Sequence, residues 1–177
     1  MKITLIATLA IFSLLVTSFT VQPPLDWKIS DGYEIRFKGT DAEGTFERFS
    51  GNLHFDAKNV KASKFSVQVD VQSISTGNGM KNKHAKSAKW FDAQKFPFIL
   101  FTSTNISQTP QGYVAEGILE MHGVKKSVTI PFTFVNNVFV GSFSVNRLDY
   151  GIGTMEGMSK KVSNSIKIDL TVPVTKI

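Results

Sequence analysis

Apolar and polar residues alternate with a period of two through most of the chain after residue 26, and this pattern constrains the fold most. In the clearest run, Phe65, Val67 and Val69 alternate with polar residues. Such alternation places the apolar side chains on one face of a half-buried strand. About eight or nine such runs follow one another, and Asn136-Asn137 between two of them is typical of a two-residue hairpin turn. We therefore predict an all-β fold, a single antiparallel barrel of about eight strands.

One segment interrupts this pattern. Residues 80–95 are polar and compatible with a helix, and they contain five lysines and one acidic residue. We predict that this short helical insert closes or rims one mouth of the barrel, a place where ligands commonly bind.

The N-terminus has the layout of a secretory signal peptide. A positive start with Lys2 precedes an apolar stretch over residues 5–16, and short polar residues follow. We predict a leader over residues 1–20, a single domain over residues 21–177, and a periplasmic or secreted location. The alternative is a retained anchor helix, for which the apolar stretch is short. The chain has no cysteine, which excludes disulfides and a lipoprotein anchor.

The charge of the chain is only moderately positive. Without Lys2 the chain has 19 basic and 14 acidic residues, a net charge of +5. This excess favours weak attraction to anionic surfaces, including transient contact with a membrane, and it is far from the signature of a nucleic-acid-binding protein.

No constellation of residues predicts catalysis or metal binding. His54, His84 and His122 are far apart in sequence, and none has a partner at metal-ligand spacing. His84 and Asp92 could form an acid–base pair, but no activated nucleophile accompanies them. We predict no catalytic residues, no metal and no catalytic cofactor. A hydrolase or isomerase that uses His84 and Asp92 remains the enzymatic alternative.

Charged residues near the insert and near one strand end are candidates for contact with a polar headgroup. Lys81, His84 and Lys86 belong to the insert, and Arg147 and Asp149 stand two apart at the end of a strand, where both could project to one side. Each also has a structural interpretation, as a solvated helix face or as an ion pair at the rim.

The apolar faces of the strands form either a packed core or the wall of a ligand cavity, and hydropathy alone does not separate the two. A filled core would suit a stress-related interaction protein. The candidate cavity residues are Phe37, Phe49, Phe65, Val67, Val69, Phe91, Phe101, Leu119, Phe132, Phe134, Phe143, Ile168 and Leu170.

Several local motifs occur together in a specific order, from Gly44-Thr45-Phe46 through Ser73-Ile74-Ser75-Thr76, Phe91-Asp92 and Phe96-Pro97 to His122-Gly123-Val124 and the segment beginning at Arg147. In this order and spacing the chain resembles the YceI family of secreted bacterial lipid-binding proteins. The resemblance implies a lipocalin-like barrel with an elongated apolar cavity, no catalytic residues, and a homodimer as one oligomeric state. It implies a long-chain isoprenoid ligand, of the polyprenyl or quinone type, or another amphiphilic lipid.

The chain departs from the family pattern near the expected mouth. Residues 30–33 lack the family's histidine, and the family's Arg-Asp-x-His-Leu reads Lys81-Asn82-Lys83-His84-Ala85. The resulting hypothesis is a periplasmic or secreted protein that holds such a lipid for transport, storage or scavenging.

Overall fold

The structure is a computed structural model, and it describes residues 25–153 and 156–177. The predicted leader, residues 1–20, lies outside the described residues. The strands are β1 (Asp26–Ile29), β2 (Glu34–Gly39), β3 (Ala42–Phe46), β4 (Phe49–His54), β5 (Lys64–Asp70), β6 (Ile74–Ser75), β7 (Phe98–Thr109), β8 (Gly112–Met121), β9 (Val124–Val135), β10 (Val138–Asn146) and β11 (Ser165–Lys176), and the helix is α1 (Gly79–Lys86).

The sheet closes on itself. Antiparallel pairing runs in the order β1-β4-β5-β7-β8-β9-β10-β11, and β1 pairs again with β11 through Ile29 and Val174. The remaining short strands β2, β3 and β6 continue β1, β4 and β5, respectively. In this continuation β2 pairs with β11 and β3, and β3 pairs with β6. The predicted eight-stranded antiparallel, lipocalin-like barrel is therefore confirmed, with its first three long strands each broken in two.

The barrel has two different ends, because neighbouring strands run in opposite directions. One end, here called the helix end, carries the turn at residues 40–41, residues 76–97 with α1, the turn at residues 122–123, and the connection that follows β10. The opposite end, here called the floor, carries residues 55–63 and the turns at residues 110–111 and 136–137.

Two hairpin turns show how the sequence specifies the connections. Asn136 and Asn137 both adopt positive φ, 52° and 60°, as do His122 and Gly123, 54° and 76°. Paired positive φ values match the right-handed twist of the flanking strands, and Asn and Gly tolerate them best. The predicted Asn136-Asn137 hairpin turn is confirmed.

Aromatic rings pack against one another to close the floor. Phe55 is 1% exposed and lies at its centre. Its ring centroid lies 5.0 Å from those of Tyr113 and Phe134 and 5.4 Å from that of Phe139, mostly edge to face. The indole Nε1 of Trp27 donates a hydrogen bond to the Phe55 carbonyl oxygen at 2.9 Å. This geometry is favourable for aromatic pairs and leaves a dense plug.

The wall of the barrel has a gap near the helix end. β9 and β10 pair only between Phe132–Val135 and Val138–Gly141, whereas β10 pairs with β11 along its whole length. The ladder stops at Pro131, which has no N–H to donate. Residues 124–131 of β9 and 142–146 of β10 therefore have no ladder partner on each other's strand, and we call this unpaired stretch the β9–β10 gap.

The helical insert is shorter than the predicted range of 80–95. Asn78 begins α1 by accepting hydrogen bonds from the Met80 and Lys81 amides, both at 3.0 Å. Ser87 ends it, because its hydroxyl and its amide both donate to the His84 carbonyl oxygen. Residues 88–96 continue in turns. Such side-chain caps set helix limits more tightly than polarity does.

Candidate ligand-binding cavity

Between the floor and the helix end, the barrel encloses a cavity of about 620 Å³. The inward faces of the strands form its wall, so the period-two alternation of the sequence translates directly into an apolar lining. Twelve of the predicted cavity residues line it: Phe37, Phe49, Phe65, Val67, Val69, Phe91, Phe101, Leu119, Phe132, Phe143, Ile168 and Leu170.

Phe134 does not line the cavity. Its ring packs 5.1 Å from the Trp27 ring and 4.4 Å from the Phe139 ring, within the floor. Alternation correctly gives the face of β9 on which Phe134 lies, but it carries no information about depth along the barrel axis.

Small residues help to make room for the cavity, and hydropathy alone does not single them out. Ala115 on β8 is 2% exposed and lines the cavity, and so does the buried Gly141 on β10. Ala115 and Gly141 lie on the same alternating faces as Leu119 and Phe143, so the period of two is the sequence signal for them as well. The same alternation extends to further lining residues: Ile35, Ile99, Ile130, Val145, Ile166 and Val172.

The charged groups of the cavity lining, within the described residues, all belong to the helix end. They come from the hairpin between β2 and β3, from α1, and from the connection between β10 and β11. They are Asp41, Glu43, Lys81, Arg147 and Lys161, and the imidazole of His84 lies among them. The cavity therefore has an apolar bottom and a charged mouth.

The structure separates the predicted headgroup candidates into two groups. Lys81, His84 and Arg147 line the mouth, while Lys86 and Asp149 do not. The prediction that Arg147 and Asp149 project to one side is wrong, because Arg147 is 3% exposed whereas Asp149 is exposed. The strand ends at Asn146, and Arg147–Tyr150 form a 3₁₀ turn, in which residues two apart do not share a face.

The Arg147 guanidinium is embedded among backbone carbonyl oxygens of the connection between β10 and β11. Burial lowers the pKa of Arg147 from its ordinary value. Arginine starts from so high a pKa that the guanidinium is still protonated at neutral pH. Its acceptors include the carbonyl oxygens of Ile152 at 2.8 Å, Ser163 at 3.0 Å, Ser159 at 3.1 Å and Val162 at 3.2 Å, and the Asn164 side-chain oxygen at 3.2 Å.

Arg147 also connects this segment to the insert. Its guanidinium carbon lies 5.3 Å from the centre of the Trp90 ring, a cation–π distance. Trp90 itself lines the cavity. Arg147 thus fixes the wall of the mouth and places a positive charge beside it.

Side-chain hydrogen bonds hold α1 over the mouth, although the helix buries none of its residues. The Asn82 side-chain oxygen accepts from the Thr76 amide at 2.8 Å and from the Thr76 hydroxyl at 2.7 Å, which ties α1 to the end of β6. On the cavity side, Ala85 and His84 contribute to the lining.

The structure does not bring the candidate acid–base pair together, and its described residues hold no metal-ligand cluster. No hydrogen bond or ion pair joins His84 to Asp92, and His84 is exposed. Across residues 25–153 and 156–177, no three His, Asp or Glu side chains are grouped to hold a metal ion. Over the same ranges, no helix has the length and apolar character needed to cross a bilayer.

A closed antiparallel barrel with an aromatic floor and one charged mouth defines a lipocalin-like binding barrel. The model of the YceI-like domain family matches residues 26–174. The chain belongs to the YceI family, and the resemblance found in its sequence motifs is confirmed.

Relatives and solved structures agree with this assignment. A UPF0312 protein of Vibrio vulnificus is 32% identical over 138 residues, 72% of each chain. One from Pseudomonas putida is 38% identical over 112 residues, 62% of this chain and 55% of that one. The crystal structure of Burkholderia cenocepacia BcnA superposes with a TM-score of 0.75 at 26% identity and covers 81% of this chain and 96% of its own. A polyisoprenoid binding domain from Saccharophagus degradans has a TM-score of 0.64 at 13% identity and covers 86% and 99%, respectively.

Proposed function

We propose that this protein binds a long-chain isoprenoid or a similar amphiphilic lipid in its barrel cavity, and that it acts in the periplasm or outside the cell in transport, storage or scavenging. One observation carries the proposal: an apolar cavity of about 620 Å³ that opens at one end, where its charged lining lies. An amphiphile has the complementary polarity, with its tail toward the floor and its headgroup at the mouth.

Two further findings support a lipid ligand. The polyisoprenoid binding domain of Saccharophagus degradans has the same fold. The cavity also argues against the filled-core alternative, because the phenyl rings meet one another at the floor and leave open space above it.

The cavity volume limits how much of a chain is enclosed. At roughly 30 Å³ for each water-sized group, a cavity of about 620 Å³ holds on the order of 20 carbon-sized groups, or about four isoprene units. Burying these at roughly 0.8 kcal/mol each leaves a net gain even after the cost of ordering the ligand. A longer chain would extend through the mouth.

The first experiment identifies the natural ligand. We expect protein purified without detergent from an expressing bacterium to release an isoprenoid or a comparable amphiphile, detected by mass spectrometry of an organic extract. Recovery of no lipid, together with no binding of prenyl-quinone analogues, would contradict the proposal.

The second experiment tests whether the cavity is the site. Affinity for prenyl alcohols should rise with each isoprene unit up to about four units and then level off. Ala115→Trp places a large ring inside the cavity and should weaken binding at least roughly tenfold, by displacing several buried carbons. Val140→Trp is the matched control, because Val140 is 47% exposed on the outer face of β10. Equal losses in both variants would place the ligand elsewhere.

A further inference from the structure

Exposed lysines surround the mouth from two sides. One group belongs to α1 and the turns that follow it, and the other to the 3₁₀ turn Gly157–Lys161 across the mouth. Except for the half-buried Lys86, these side chains are exposed. We call this set the basic collar: Lys81, Lys83, Lys86, Lys89, Lys160 and Lys161.

The lysines of α1 outnumber the acids of the mouth lining, which are Asp41 and Glu43. The helix contains no acidic residue in its sequence, and its lysines form none of the ion pairs found among the described residues. On the barrel wall, by contrast, Arg48 pairs with Asp70 and Lys167 with Asp169. The collar therefore presents a concentrated positive field to a partner outside the barrel.

A large apolar side chain lies within this charged surface. Met80, in the first turn of α1, is 70% exposed, and its neighbour Lys81 is also exposed. Because α1 buries none of its residues, core packing gives no reason for Met80 at this position. Phe98, at the start of β7 on the same end, is 41% exposed. Lysines around exposed apolar groups are complementary to a surface with anionic headgroups above an apolar layer.

We propose that the helix end docks on an anionic lipid bilayer. The basic collar contacts the headgroups, the Met80 side chain inserts among them, and the cavity mouth faces the membrane. This inference rests on the proposed function, since docking gives the mouth direct access to a membrane-resident lipid. A nucleic acid is the less favourable occupant, because it would leave Met80 without an apolar partner.

The test is flotation with phosphatidylglycerol–phosphatidylcholine vesicles, using the complete chain. The collar variant Lys83→Glu/Lys89→Glu/Lys160→Glu changes exposed lysines that do not line the cavity. Its matched control, Lys58→Glu/Lys61→Glu/Lys64→Glu, makes the same charge change near the floor, where these lysines are also exposed. All variants share residues 1–24, so any membrane affinity of that segment cancels in the comparison.

We expect the collar variant to bind acidic vesicles at least roughly tenfold more weakly and the floor variant to bind within about twofold of the unmodified protein. Met80→Ser should weaken binding by roughly threefold, and added salt should weaken binding of the unmodified protein. Equal losses in both triple variants, or no preference for phosphatidylglycerol over pure phosphatidylcholine, would overturn the proposal.

Ligand binding in solution separates this proposal from the proposed function. A soluble short-chain prenyl analogue, titrated without vesicles, should bind the collar variant and the unmodified protein equally. Loss of vesicle docking with retained analogue binding supports the docking surface. Vesicle docking without any analogue binding would leave docking in place and contradict the lipid-binding function.

Discussion

Arg147 is the residue whose position is least explained by hydropathy and best explained by hydrogen bonding. A charged side chain that is 3% exposed requires partners for its donors, and the turns after β10 supply carbonyl oxygens at 2.8 to 3.2 Å. The interaction is reciprocal, because the guanidinium also satisfies carbonyl groups that the turns leave without ladder partners. Arg147 therefore helps to set the shape of the mouth, because its hydrogen bonds fix the backbone of the connection between β10 and β11.

At this scale we predict that Arg147→Met destabilises the fold by at least about 2 kcal/mol, because it leaves several partly buried carbonyl oxygens unsatisfied. The measurement is urea unfolding followed by tryptophan fluorescence. Asp149→Asn is the control, since Asp149 is exposed, and it should change the free energy of unfolding by less than about 0.5 kcal/mol. An Arg147→Met protein as stable as the control would show that other contacts organise this connection.

At the scale of elements, α1 is attached to the barrel by few interactions. We predict that Asn82→Ala, which removes the acceptor for the Thr76 amide and hydroxyl, increases hydrogen exchange across Gly79–Lys86 while lowering global stability by only about 1–2 kcal/mol. Release of a bound lipid should become faster, because α1 covers part of the mouth. Unchanged exchange in α1 would mean that Asn78 and the helix contacts at Ala85 are sufficient to hold it.

The β9–β10 gap has a separate and local consequence. Alternate amides of residues 142–146 point toward β9, where they have no ladder partner, and the others point toward β11, where pairing is complete. We predict alternating fast and slow amide exchange along this half of β10 by NMR, and slow exchange for the paired amides of residues 138–141. Uniform protection across β10 would show that the two strands pair in solution despite Pro131.

The elements also show what the sequence could predict. Alternation identified the strands and the inward residues because a strand repeats every two residues, and Asn136-Asn137 predicted its own turn because that preference is local. Phe134 was misplaced because the depth of a residue in a barrel depends on strand stagger, which comes from tertiary pairing. Arg147 and Asp149 do not share a side because β10 ends at Asn146, before both residues, and the following 3₁₀ turn changes the period.

At the scale of the whole molecule, the barrel has one sealed and one accessible end. The floor uses rings such as Phe55 and Phe139, packed 5.4 Å apart, to exclude solvent. At the helix end, α1 buries none of its residues, whereas Tyr150 and Ile152 are buried in the connection after β10, and the basic collar lies there. Aromatic packing therefore closes one end, while α1 at the other end buries no residue and can move without disturbing the floor.

Ligand removal tests this arrangement in full. An apolar cavity of about 620 Å³ forgoes packing interactions when no lipid fills it, and a ligand that binds only the folded state adds about 2.7 kcal/mol at one hundred times its Kd. For a domain of this size we therefore expect delipidation to lower Tm by roughly 5–10 °C and lipid addition to restore it. Calorimetry on extracted and reloaded protein measures both.

Ala115→Trp should show little response to added lipid, because its ring occupies the space that the lipid chain would fill, whereas Val140→Trp should respond like the unmodified protein. If lipid raises the Tm of all three proteins equally, the stabilising site lies outside the barrel.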